Sequence, residues 1–144
     1  MRSTRLQVIQ WLGTVRTVAE VSLHVIFDGD CAFCSTCARF LESRLRSSAA
    51  VRPWQRVELE ALGLTEDECA AALQCVDTAR KVKVSGHRAV AMALRACRFP
   101  WSVIGRLIEW RVLSPLGAVV YRTVANNRHR LPGGTPACKL SPER

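Results

Sequence analysis

The chain has 144 residues, 49% hydrophobic and 23% charged, a balance that supports one globular domain with its own core and excludes disorder or a second full domain. Its net charge of +9 comes from 21 Lys and Arg against 12 Asp and Glu. The basic residues are scattered and the few aromatics do not interleave with them, so no nucleic-acid partner is expected. Seven cysteines, an odd count, do not suit a secreted disulfide scaffold. A cytoplasmic location is expected instead, where thiols stay reduced and a close Cys pair points to catalysis or metal.

Residues 1–21 read as an N-terminal extension, at most a short amphipathic helix. Its apolar stretch from Leu6 to Val15 is interrupted by Gln7, Gln10 and Gly13. That is too short and too polar for a transmembrane segment, although peripheral contact with a membrane surface stays open. Leu23-His-Val-Ile-Phe27 has the apolar, β-branched character of a buried strand. Asp28-Gly29-Asp30 ends it with turn chemistry. From Cys34 the period becomes helical, with Cys34, Cys37, Phe40, Leu41 and Leu45 on one face. Val51–Val57 is a second strand, with Pro53 where no ladder donor is needed.

Thr65-Glu-Asp-Glu68 is a capping box, in which the Thr side chain accepts from a first-turn amide while the Glu reaches back. The helix it opens carries Cys69, Ala72, Leu73 and Val76. A hairpin follows through Val76 and Val82–Val84, with Lys81 and Lys83 turned outward. Gly86 starts a helix that turns Val90, Ala93, Leu94 and Cys97 inward. Two further helices, Trp101–Leu113 and Leu116–Asn127, are separated by Ser114-Pro115. Residues 131–144, rich in Gly and Pro, form an irregular tail. The fold class is α/β: β-α-β, then α-β-β-α around one central sheet, the element order of the thioredoxin fold, with two added C-terminal helices over residues 22–130.

The chemistry centres on Cys31 and Cys34, two residues apart at a strand-to-helix junction. The first turn of a helix brings two such Cα atoms within disulfide range, and its unpaired amides and dipole stabilise a thiolate there. Cys31, nearer the helix start and expected to be the more exposed, reads as the nucleophile. Cys34 reads as the thiol that resolves the mixed disulfide. Asp28, three residues before Cys31, either shapes the turn or tunes the thiol, and a carboxylate there acts against the dipole. The same spacing also makes half of a metal site, which Cys37 extends to three ligands, so a zinc or iron–sulfur module through Cys31, Cys34 and Cys37 is the alternative. A fourth ligand would come from His24, Cys69, Cys75, His87 or Cys138. A non-catalytic binding or adaptor domain is the other alternative. Cys37 reads as a core residue, as do Cys69, Cys75 and Cys97; His24 and His87 read as structural. Asn127 and Arg128 read as a helix end with cations on its dipole, with anion binding as the alternative.

Phe27-Asp-Gly-Asp-Cys-Ala-Phe-Cys-Ser-Thr-Cys-Ala-Arg-Phe-Leu41 resembles the signature of the DCC family of thiol–disulfide oxidoreductases. Tyr121-Arg-Thr-Val-Ala-Asn-Asn-Arg-His-Arg130, followed by Cys138, is similar to that family's ending. The resemblance implies a thioredoxin-like fold and dithiol–disulfide exchange, with Asp28, Cys31 and Cys34 as catalytic residues and no cofactor. It names no particular substrate; dithiol–disulfide exchange leads one to expect a protein or small-molecule thiol or disulfide as substrate, and a cellular reductant such as a thioredoxin or low-molecular-weight thiol. Thioredoxins set a cis-proline opposite their active pair. Here no proline lies between Pro53 and Pro100, so Val76 or Asp77 would take that place.

Overall fold

A computed structural model of the chain describes residues 21–46 and 48–134. Four strands form a single mixed sheet in the order β2-β1-β3-β4. Strand β1, Leu23–Phe27, lies inside the sheet, parallel to β2, Ala49–Pro53, and antiparallel to β3, Gln74–Asp77. Strand β4, Val82–Ser85, closes the hairpin with β3. Val25 therefore lies between Val51 and Cys75. Five helices complete the described residues: α1, Ala32–Glu42; α2, Glu66–Ala71; α3, His87–Arg95; α4, Trp101–Glu109; and α5, Ser114–Asn127. This α/β arrangement is compatible with a thioredoxin-like fold.

The two-residue period of β1 divides the core. Leu23 and Val25 face one side, where they pack with Ala38 of α1, Val51, Cys75, and Ala89 and Ala93 of α3. Ile26 faces the other side and packs with Leu64, Cys69 of α2 and Val76. Burial of the strand on both faces explains why four of its five residues are apolar, His24 being the exception.

Local chemistry fixes the boundaries. The Thr65 side chain accepts from the Glu68 N–H at 3.3 Å while Glu68 accepts from the Thr65 N–H at 2.9 Å, the reciprocal cap expected. Helix α2 stops at Ala71 rather than running to Val76, because Gln74–Asp77 pair with β1 and β4. Strand β2 begins at Ala49 and ends at Pro53, earlier than expected. Pro53 sits on an edge strand, where a missing N–H is tolerated, and a 3-10 turn over Trp54–Arg56 follows. Ser114 and Pro115 open α5 instead of separating two helices, since proline fits the first helical turn. Helices α3 and α4 cross closely at Gly105, where a Cβ would stand 2.6 Å from the Ala91 carbonyl oxygen. All but the last residue of the expected extension, 1–21, and most of the expected tail, 131–144, lie outside the described residues.

Candidate active site

The site forms where β1 ends and α1 begins. Asp28 is buried. Its Oδ1 accepts from the Asp30 N–H and from Gln55 Nε2, each at 3.1 Å. Gln55 Oε1 in turn accepts from the Gly29 N–H at 3.1 Å. One side chain from the turn after β2 thus ties down both the carboxylate and the backbone of the Asp28-Gly29-Asp30 turn. Gly29 is needed for this close approach: a Cβ there would lie 2.7 Å from Pro53 Cβ and 2.8 Å from Gln55 Oε1.

Cys31 is the N-cap of α1, and its Sγ accepts from the Cys34 N–H at 3.4 Å. This is the N-cap bond usually made by Ser or Asp, made here by sulfur. Cys31 is disulfide-bonded. Cys34, Cys37, Cys69, Cys75 and Cys97 are free thiols, so none of them is its partner. Cys31 is fully buried while Cys34 is half-buried, the reverse of the exposure expected from sequence. The structure brings Cys31 and Cys34 together with the more accessible thiol one turn into the helix.

Cys34 has a partner from the far end of the fold. Arg128, which ends α5, is buried and donates from Nη1 to Cys34 Sγ at 3.4 Å and from Nη2 to the Ala70 carbonyl at 3.2 Å. Burial raises the Cys34 thiol above its ordinary range. Arg128 opposes that rise through its charge and its hydrogen bond, and the Asp28 carboxylate adds to it. Sequence reasoning put Arg128 at a helix end but did not connect it to the cysteine pair. The only signal was its place in the Tyr121–Arg130 stretch.

Cys37 departs from its expected core role. It is exposed, on a concavity whose apolar walls raise its thiol, with the neighbouring Cys34 adding to the rise. The other three behave as core residues. The Cys75 thiol donates to the Ala89 carbonyl at 3.2 Å and that of Cys97 to the Ala93 carbonyl at 3.4 Å. Burial pushes Cys69 up to about 11 and Cys75 to about 12, so both stay protonated at neutral pH. His24 is buried in the sheet, and burial lowers its pKa, with Arg52 adding to the effect. His87 Nε2 shares a 3.2 Å hydrogen bond with Ser114 Oγ.

Among the described residues, no group of three or more His, Cys, Asp and Glu side chains is placed to hold a metal ion. Nor is any helix among them long and apolar enough to cross a membrane. Val76 and Asp77 lie within β3, and the residue leading into that strand is Leu73, whose N–H donates to the Tyr121 hydroxyl at 3.1 Å. The cis peptide of the described residues is Phe99–Pro100, at the start of α4 rather than before β3.

No curated protein and no solved structure matches the chain. Residues 25–134 match the family model of the DCC1-like thiol-disulfide oxidoreductase. This span runs from the middle of β1 past Arg128, so it contains both cysteines, Asp28 and the arginine that reaches them. The chain belongs to the DCC1-like thiol-disulfide oxidoreductase family.

Proposed function

We propose that the protein is a thiol–disulfide oxidoreductase that exchanges dithiol and disulfide through Cys31 and Cys34, on a thioredoxin-like domain extended by α4 and α5. The observation that carries this reading is the contact at the start of α1. Cys31 sulfur receives the Cys34 N–H, while Cys34 sulfur receives the Arg128 guanidinium. One sulfur is thus held by a helix-terminal amide and the other by a cation; the second contact favours the Cys34 thiolate, and the first favours a Cys31 thiolate once the Cys31 disulfide is reduced.

Cys34 is the better entry thiol because it is the more accessible of the two. With the pair reduced, the Cys34 thiolate attacks a substrate disulfide. One S–S bond breaks, the first thiolate leaves, and a mixed disulfide forms on Cys34. The Cys31 thiolate then attacks Cys34 Sγ, closing the Cys31–Cys34 disulfide and releasing the second thiolate. Each released thiolate takes up a proton, and two electrons pass from the pair to the substrate. From the state in which Cys31 holds another disulfide, the same Cys34 thiolate attacks Cys31 Sγ, closes the pair and frees the other sulfur. Asp28 is the tuner, a carboxylate that opposes Arg128 in setting how readily Cys34 ionises. The cytoplasm is the compartment proposed for this work, since it keeps such thiols reduced.

Trapping tests the reading. Cys31→Ser, mixed with bis(2-hydroxyethyl) disulfide, should keep hydroxyethyl thiol on Cys34 as a long-lived adduct. In the wild-type protein Cys31 should expel it. Equal adduct lifetimes in the two proteins would sink the proposal.

A further inference from the structure

Beside Cys34 opens a cavity of about 770 Å³, within the roughly 300–1,000 Å³ range of pockets that hold small molecules. Its lining includes Phe33 and Cys37 of α1, Leu107 of α4, and Val120 and Val124 of α5. These α4 and α5 residues are not packed away: Leu107 is 46% exposed and Val120 54%. An apolar surface left open around a thiol marks a binding site more often than it marks a packing defect. Among the described lining residues the ionic side chains are Arg128 and Asp28, at the end where Cys34 lies, and His87 adds a polar ring.

We propose that the exchange substrate is a lipophilic low-molecular-weight disulfide, its aliphatic or aromatic body seated in this cavity and its S–S bond at Cys34. The inference rests on the redox reading above and names the substrate class for it. A hydrophilic disulfide such as glutathione disulfide carries several carboxylates and ammonium groups. Setting these against Leu, Val and Phe side chains would cost desolvation that Arg128 and Asp28, both at the Cys34 end, are too few to repay. Arg128, at Cys34 Sγ, is placed to stabilise the thiolate that leaves when the substrate S–S bond breaks. The electrons balance as already written: the dithiol becomes the Cys31–Cys34 disulfide, and one lipophilic disulfide becomes two thiols.

The test uses the full chain and a series of bis(ω-hydroxyalkyl) disulfides with ethyl, butyl and hexyl spacers, each rate being divided by the rate with free dithiothreitol. If the walls hold the chain, kcat/KM should rise about fourfold per buried methylene and level off once the cavity is full. Leu107→Glu should flatten the series, and Val120→Trp, which fills the space without adding charge, should do so as well if the first variant unfolds. A flat series with active exchange, or a preference for glutathione disulfide or for a protein disulfide, would overturn the cavity assignment while leaving the redox reading intact. Failure to exchange with any disulfide would instead remove the redox reading. A second arm then decides the cavity alone: calorimetric titration with the unreactive thioether analogue of the hexyl compound. Saturable binding that weakens in Leu107→Glu supports the assignment, and no binding overturns it.

Discussion

Arg128→Gln removes the guanidinium in contact with Cys34 and leaves a shorter, neutral side chain. The wild-type guanidinium lies 3.4 Å from Cys34 Sγ, and both groups are at least half withdrawn from solvent. A hydrogen bond to a charged group in such a place contributes about 1.5–3 kcal/mol, and about 1.4 kcal/mol corresponds to a factor of ten in ionisation. The sign follows from what Arg128 does. It lowers the Cys34 pKa against burial, so removing it lets the midpoint move further up. Below both midpoints the thiolate fraction, and with it the rate of iodoacetamide alkylation, should fall by roughly ten- to a hundredfold. The rate is read at Cys34 by peptide mass spectrometry across a pH series. Arg128→Lys keeps the charge but loses the planar fork, and should recover part of the loss. Because Arg128 also holds the Ala70 carbonyl, thermal melts must confirm that the variants are folded at the assay temperature. An unchanged pH midpoint in a folded Arg128→Gln protein would refute the argument that this arginine tunes the thiol.

Three further predictions concern the frame around the site. Gln55→Ala removes both bonds that tie the Asp28 turn; with each net hydrogen bond contributing about 1 kcal/mol, stability in urea should drop by about 1–2 kcal/mol and exchange should slow, while Gln55→Glu should not restore the bond to the Asp28 carboxylate. Gly105→Ala forces a methyl to within 2.6 Å of backbone at the α3–α4 crossing; overpacking of this kind costs about 1–3 kcal/mol, visible as a lowered Tm, and an unchanged Tm would show that the crossing yields freely. Thr65→Ala breaks the capping box of α2 and should cost about 1 kcal/mol without altering the pH profile of Cys34 alkylation, a change in that profile being the contrary result.

The parts of the fold legible in the sequence were those written in local pattern. Leu23–Phe27 was found to the residue because a short run of apolar, β-branched residues marks a doubly buried strand, and the start of α2 because a capping box is a four-residue code. The end of β2 was missed because Val57 looks like a strand residue, whereas Pro53 and the Trp54–Arg56 turn stop the ladder first. At the site, adjacency of Cys31, Cys34 and Asp28 was legible because all three fall within seven residues. Their partners were not. Gln55 lies 27 positions from Asp28, and Arg128 lies 94 from Cys34; periodicity tells which face a residue occupies but not what it meets there. The exposure order of the two cysteines was read from helix position, and neighbours from outside α1 decided it otherwise. For the same reason Cys37, on the apolar face of α1, looked like core: that face borders a cavity rather than a packed neighbour.

In the proposed exchange Cys31 and Cys34 form a reversible redox pair. Its most direct test is a titration of the full chain through a series of glutathione redox buffers, followed by acid quench, alkylation and peptide mapping. Residues 17–39 fall in one tryptic peptide holding Cys31, Cys34 and Cys37, so a Cys31–Cys34 bond appears as a loss of two hydrogens with Cys37 still alkylated. The expected result is that this species forms reversibly, at the expense of the fully alkylated peptide and of the form in which Cys31 is linked outside the peptide. Absence of the Cys31–Cys34 linkage at every potential would contradict it.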